Sequence, residues 1–328
     1  VDLLLSGRSK GSRSTWALIG ERLSFAAVLE FGLRSRQGRT LELTRTAAAE
    51  IDIPDPGQAA DLVRDLLQRT PALVTLPDGS VPDEERYRGY VRGILERLRI
   101  RGAIRHRWLD PWLGEAGVRR WLVWGGRPLG MPAFPPGISA PAFLLDRAKD
   151  RTQFDTLGAG ANWYQDWTTR CLGLPRDAAA EFVRNLLPQL AEADILCART
   201  AKDGATRVYG LQPGHIRLRK LADDVVGDAY ARCSVCSWQQ TVHPDHLDDW
   251  HRQACPRYQC PGILLAAGQG AAEADSGATA RLRDYRKDYY RRLYRETGAF
   301  TVVTAEHTGA LTRGERESVE AAFRRGTH

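Results

Sequence analysis

The chain has 328 residues, of which 43% are hydrophobic and 27% charged, a balance that is ordinary for globular proteins and predicts two or three domains. No apolar run approaches the ~18–20 residues that a membrane span needs, and no secretory signal is recognisable, so we expect a cytoplasmic protein without a membrane partner. The net charge of +7 favours a polyanionic partner, although only five of the 47 basic residues are lysine, and such an arginine excess is also typical of GC-rich genomes.

We divide the first half into a helical or linker region, residues 1–80, and a helical and irregular connector, residues 81–160. Hydrophobic periodicity predicts helices at 21–31, 58–69 and 83–99 and a strand within 39–53. In the third helix, arginines occupy most of the surface that its apolar stripe leaves. The tryptophans of the connector are expected to anchor a core, with stacking on nucleobases as the alternative: Trp108, Trp112, Trp121 and Trp124.

Residues 161–222 show the element order of a winged helix. Asn162 is placed to cap a first helix, a second helix is predicted at 176–193 with Pro188 expected to kink it or shift its end, and two strands flank Asp203-Gly204, a strong hairpin signal. In a DNA-binding winged helix, the hairpin contacts phosphates. The candidate contacts here are Arg199, Lys202 and Arg207; the alternative is a module that only packs between other domains.

The strongest motif lies in residues 225–265, where two pairs of cysteines are separated by eighteen residues: Cys233, Cys236, Cys255 and Cys260. Two tight turns that each present two sulfurs to one centre predict a structural zinc ribbon, with no open position for catalysis. An alternative set combines Cys233 and Cys236 with His246 and His251. The two other cysteines, Cys171 and Cys197, are expected to be ordinary buried thiols.

The C-terminal segment, residues 280–328, begins with a basic, tyrosine-rich helix at 281–295, which carries a net charge of +5 from seven basic and two acidic residues. Arg286 and Lys287 of this helix are further candidate nucleic-acid contacts. A strand at 300–305 and a final helix are expected to follow.

Here the chain resembles the second RecA-like motor domain of superfamily 2 helicases, in the H-x-G-x-L-x-x-x-x-R-x-x-x-x-x-x-F pattern at positions 307, 309, 311, 316 and 323. It is most similar to the large bacterial DEAD/DEAH-box helicases of repair and anti-phage loci. The segments LEFGLRSRQGRTLE, PAFPPG, NWYQDW, CPRYQCPG and YYRRLY carry this resemblance, together with AEHTGALTRGERE.

The resemblance implies a helical, winged-helix and zinc-ribbon region between two motor domains, ATP-driven translocation on DNA, and defence or repair proteins as partners. It also implies a nucleic-acid or coupling role for His307 and Arg316. The alternative is local: His307 caps its strand, and Arg316 pairs with Glu320 at helical spacing.

Several motor parts are absent from the sequence. Residues 7–12 do not form a G-x-x-x-x-G-K-[ST] phosphate loop, and there is no DEAD or DEAH box. We therefore expect a fragment of a longer protein, in which ATP and Mg²⁺ bind elsewhere, and no catalytic residue here. The predicted fold class is a multidomain α+β protein with a truncated α/β RecA-like end. The alternative functions are a free-standing DNA-binding module of the transcription-factor type and a partner-docking domain without affinity for DNA.

Overall fold

The structure is a computed structural model. The structure describes residues 13–32, 41–70, 76, 79–118, 128, 130–132, 140–158, 160, 162–221, 229–236, 238–267 and 289–296, with 312, 314, 317, 318, 320 and 321. Within these residues the fold is mixed, with eight α-helices and three small sheets. None of the helices in this part of the chain combines the length and apolarity that crossing a membrane requires.

The helices predicted at 58–69, 83–99 and 176–193 are confirmed with ends within two residues, and the first helix extends well beyond its predicted N-terminus. The described helices are α1 (Arg13–Gly32), α2 (Pro56–Gln68), α3 (Glu84–Ile100), α4 (Asp110–Gly114), α5 (Trp163–Leu172), α6 (Arg176–Glu192), α7 (Leu247–Trp250) and α8 (Tyr289–Glu296). The short helices α4 and α7 were not predicted, and of the basic helix expected at 281–295 the described residues begin at 289. Helix α5 begins with the expected cap, since the Asn162 side chain accepts from the Gln165 amide in a full capping box. Helix α6 contains Pro188 within its length.

The strands form three sheets. Strand β1 (Ala47–Ile51) pairs with β6 (Ile216–Lys220); β2 (Leu144–Leu145), β3 (Asp155–Thr156), β4 (Cys197–Thr200) and β5 (Arg207–Gly210) form the second sheet; β7 (Tyr230–Cys233), β8 (Gln239–Thr241) and β9 (Leu264–Ala267) form the third. The β4–β5 hairpin confirms the Asp203-Gly204 signal, and Gly204 has a φ of 71°. Strand β5 also pairs with β2, so the hairpin is part of a wider sheet.

Two hydrophobic cores organise the described residues. The larger draws on side chains from Phe25 through Leu211, and so takes in parts of the three segments predicted at 1–80, 81–160 and 161–222. Trp108 and Trp112 are buried in it, which excludes base stacking for both and confirms them as core anchors. Trp121 and Trp124 lie outside the described residues. The smaller core belongs to the third sheet and α7, which we call the metal module, residues 229–236 and 238–267.

Helix α3 is the central element, because it contacts α1, α2, α5, α7 and β1. The sequence predicted arginines on the outer surface of this helix, but some of them are buried. Arg99 is fully buried and donates to Glu96, Glu42 and the Phe31 carbonyl. Burial alone lowers the pKa of Arg99, but Glu96 and Glu42 outweigh burial and raise it, so the guanidinium stays charged.

Two glycines let other elements approach α3 closely. A Cβ at Gly89 would lie 2.0 Å from the Asp249 carbonyl oxygen, and one at Gly93 would lie 2.1 Å from Cζ2 of Trp167 on α5. The Trp167 ring is fully buried, and its Nε1 donates to the Tyr90 carbonyl at 3.1 Å. Glycine is therefore required at both positions by packing against backbone or a fixed ring.

We expect Gly93→Ala to lower the free energy of unfolding by about 1–3 kcal/mol, because the added methyl group overpacks the Trp167 ring. Gly20→Ala in α1 is the matched control: nothing lies within 4 Å of its Cβ position, so the substitution should be neutral or stabilise by about 0.5–1 kcal/mol. Urea denaturation measures both. Equal effects of the two substitutions would contradict this packing.

Candidate metal centre

The four cysteines of the metal module converge on one point. One sulfur from each lies within 4.8 Å of every other, in a group of three buried residues and one half-buried residue, Cys236. The Sγ atoms of Cys233 and Cys260 are 3.7 Å apart, and those of Cys236 and Cys255 are 3.6 Å apart. All four are free thiols, since a disulfide needs about 2.05 Å.

These distances fit a tetrahedral metal site. With a metal–sulfur bond of ~2.3 Å, a regular tetrahedron has sulfurs about 3.8 Å apart. We call the turn at Cys233–Cys236 the first knuckle and the turn at Cys255–Cys260 the second knuckle. Both close pairs join one knuckle to the other, so an ion at the centre would link two parts of the chain. The four cysteines can hold a metal ion, and their donor set is compatible with zinc.

Backbone amides support the sulfurs. The amides of Val235 and Cys236 each donate to Cys233 Sγ at 3.3 Å, and the Arg257 amide donates to Cys255 Sγ at 3.4 Å. Such bonds favour the thiolate over the thiol and fix its direction. Gly262 is required beside them, because a Cβ there would lie 2.4 Å from Cys233 Sγ.

The thiols of the cluster differ in the pKa at which each loses its proton. Burial acts to raise the pKa of Cys236, but the Trp238 amide and the neighbouring thiols outweigh it and lower that pKa to about 7. Burial raises the pKa of Cys255 and of Cys260. A metal ion must therefore displace protons from the cluster, so its binding weakens as the pH falls.

Side chains of helix α5 form hydrogen bonds with the backbone of the second knuckle. Arg170 donates to the carbonyls of Cys255 at 2.7 Å and Cys260 at 3.0 Å, and it forms a 2.7 Å ion pair with Asp166. Asp166 in turn accepts from the Gln259 amide at 3.0 Å. We call this pair the α5 clamp, and it joins the helix that the sequence predicted as the start of a winged helix to the metal centre.

A second contact joins the module to α3. Asp249 is buried and accepts from Arg88 at 2.8 Å and from Arg92 at 2.9 Å. The Gln253 side chain also donates to the Arg86 carbonyl at 3.0 Å. Hydrogen-bonded charged side chains therefore attach the metal module to both α5 and α3. The sequence did not identify the partners on these two helices: Asp166, Arg170, Arg88 and Arg92.

The alternative ligand set with His246 and His251 is wrong. The four sulfurs form the cluster, and the His251 side chain instead accepts from the Ala266 amide at 3.4 Å. His246 lines a cleft with Arg92 and Glu96, and burial beside Arg92 lowers its pKa to about 4. The remaining thiols are confirmed as buried, with pKa values raised by burial to about 12 for Cys171 and about 11 for Cys197.

The candidate phosphate contacts of the hairpin are separate from this centre. Arg199 pairs with Asp110 at 2.7 Å and Lys202 with Glu115 at 2.5 Å, while Arg207 is exposed. Four further candidate contacts lie outside the described residues: Arg286, Lys287, His307 and Arg316. Of the basic helix, the structure describes Tyr289–Glu296, where Arg291 is buried and donates to the carbonyls of Thr44 and Arg45.

Comparisons with protein-family models, with curated proteins and with solved structures found no match to this chain.

We expect Cys255→Ala to remove one of four ligands and so to lower both the bound metal per chain and the melting temperature. Cys197→Ala is the control for metal content, because this thiol is also buried but belongs to strand β4 and not to the cluster. Elemental analysis and thermal unfolding measure the two effects. Full metal retention by Cys255→Ala would refute the site.

We expect Arg170→Met to destabilise the metal-loaded protein by about 3 kcal/mol, because it leaves the largely buried Asp166 without its cation. The same substitution should speed metal transfer to a chelator, since the carbonyls of the second knuckle lose their donor. Arg176→Gln, at an exposed arginine, is the control and should lie within about 0.5 kcal/mol of the parent. A similarly small effect of Arg170→Met would show that the clamp does not support the centre.

Proposed function

We propose that the four cysteines hold a structural zinc ion that orders the metal module. The observation that carries this is the closed donor set: four sulfurs at tetrahedral spacing leave no position for water or substrate. Zinc suits four thiolates without redox chemistry. The module has a core of only a few side chains, so the ion supplies on the order of 10 kcal/mol of its folding free energy. Six free thiols suit a reducing compartment such as the cytoplasm.

We infer that the scaffold ordered in this way binds nucleic acid, and we propose DNA as the partner. The net charge of +7 and the exposed cations of the β4–β5 hairpin support this. The pairs of Arg199 with Asp110 and of Lys202 with Glu115 do not oppose it, since both are substantially exposed. Exposed ion pairs contribute only about 0–1 kcal/mol, so a phosphate can replace the carboxylate.

We further propose that the chain is the accessory middle of an ATP-dependent DNA helicase. The support is the resemblance of its motifs, in their order, to repair and anti-phage helicases. In such a parent, the motor domains bind ATP and Mg²⁺ and move the DNA, while this region grips the phosphate backbone. The α5 clamp is suited to the role, because it joins the winged-helix candidate to the metal module. We also propose that residues 161–222 form a winged helix and that residues 280–328 open a RecA-like domain.

We expect affinity for a DNA duplex to fall roughly 10- to 100-fold between 50 and 200 mM salt, because about three phosphate contacts release their counterions. Replacing Arg199, Lys202 and Arg207 by glutamine should weaken binding and flatten this salt dependence. Filter binding over a salt series measures both.

The matched control replaces three exposed arginines elsewhere by glutamine, with the same change in charge: Arg22, Arg69 and Arg176. It should leave the hairpin's salt dependence in place. Affinity that is indifferent to salt would contradict the proposal, and strong preference for one base sequence would favour a transcription-factor module instead.

A further inference from the structure

The four sulfur ligands of the metal centre differ in how easily solvent reaches them. Cys236 is half-buried. The other three are buried, with exposed fractions of 0%, 4% and 8% for Cys255, Cys233 and Cys260. Oxidation of cysteine follows thiolate character and exposure, and sulfurs that bind a metal are all thiolates, so exposure decides which of them reacts first. An oxidant dissolved in water therefore meets the sulfur of Cys236 before the others.

A second sulfur lies beside this entry point. Cys255 Sγ is 3.6 Å from Cys236 Sγ, and Cys260 Sγ is 3.7 Å from Cys233 Sγ. A disulfide bond is about 2.05 Å long, so each of these pairs has to close by about 1.6 Å. A thiolate at this distance can attack its neighbour as soon as that neighbour is oxidised.

Backbone contacts hold the two knuckles against each other while the sulfurs move. Strand β7 ends at Cys233, which pairs with Leu264 of β9 just beyond the second knuckle. The Ser234 amide also donates to the Ile263 carbonyl at 2.9 Å. Both close sulfur pairs cross from one knuckle to the other, so disulfides formed within these pairs would take over the link that the ion makes.

We propose that the metal centre is a redox switch, in which a peroxide converts its four thiolates into two disulfides that join the knuckles: Cys236 with Cys255, and Cys233 with Cys260. Zinc itself has no redox chemistry, but its thiolate ligands do. The first disulfide removes two of the four ligands, so the ion is released at that step. This inference rests on the proposed zinc site and adds the regulation of that site.

The reaction balances with hydrogen peroxide as the only oxidant. The Cys236 thiolate attacks one peroxide oxygen and the O–O bond breaks, which gives a sulfenic acid and a hydroxide that is protonated to water. The Cys255 thiolate then attacks the Cys236 sulfur, forms the S–S bond and expels a second hydroxide, also protonated to water. Two electrons pass from the two sulfurs to the peroxide. A second peroxide oxidises Cys233 and Cys260 in the same way.

The oxidised module keeps its knuckles joined without the ion. The two bridges connect residues that are 19 and 27 positions apart, and crosslinks of such loops stabilise a fold by restricting the unfolded chain. Arg170 binds the carbonyls of Cys255 and Cys260, and both of these residues belong to a bridge, so the α5 clamp is retained. A thiol reductant restores the four thiolates, which makes the switch reversible.

The test treats the zinc-loaded chain with hydrogen peroxide and follows the released zinc with a coloured chelator. Peptide mapping by mass spectrometry then identifies the disulfides. We expect release of the bound zinc, the two bridges between the knuckles, and recovery of zinc binding when dithiothreitol and zinc are added. The oxidised chain should melt at a higher temperature than the reduced, zinc-stripped chain. The control is the stripped chain oxidised in urea, which should pair its cysteines without this preference.

Two matched variants test the entry point, because each removes one ligand. Cys236→Ser lacks the half-buried sulfur and Cys260→Ser retains it, so peroxide should release zinc severalfold more slowly from the first than from the second. If neither variant binds zinc, the disulfide map of the parent chain still decides. Equal rates, a bridge from Cys233 to Cys236, or zinc retained in peroxide would overturn the switch. A reduced parent chain that binds no zinc would instead refute the proposed metal site.

Discussion

Four sulfurs within 4.8 Å of one another are the constraint on which the metal module depends. A small sheet and one turn of helix cannot bury enough apolar surface to fold alone, and thiols packed this closely repel when ionised. A divalent ion bound by the four sulfurs would resolve both problems at once. It would close the two knuckles and would fix the carbonyls of Cys255 and Cys260 that Arg170 binds.

Metal binding would also affect the helices around the metal module, because the module is attached to them through buried ion pairs. Asp166 with Arg170 joins it to α5, and Asp249 with two arginines joins it to α3. Charges removed from water stabilise a fold only when their geometry is correct. An ion that ordered the module would therefore also hold these charged pairs in place, and it would join the metal centre to α5 and to the central helix α3.

Local signals predicted the parts that depend on neighbours in sequence. The Asn162 cap and the Asp203-Gly204 turn each specify structure within a few residues, and both are confirmed. The cysteine spacing predicted the four-sulfur cluster because each pair forms its own tight turn, although Cys233 and Cys260 are 27 residues apart. Long-range pairs could not be predicted from periodicity. Arg99 is buried because Glu42, 57 residues away, reaches it, and a helical pattern assigns such an arginine to solvent. Strands of two residues, such as β2, carry no periodicity at all.

Four cysteine sulfurs, and no histidine, are proposed to bind one zinc ion. X-ray absorption at the zinc edge of the purified chain tests it most directly. The geometry predicts a single shell of four sulfurs at about 2.3 Å. A shell containing nitrogen at about 2.0 Å, or protein that binds no zinc tightly, would contradict the account.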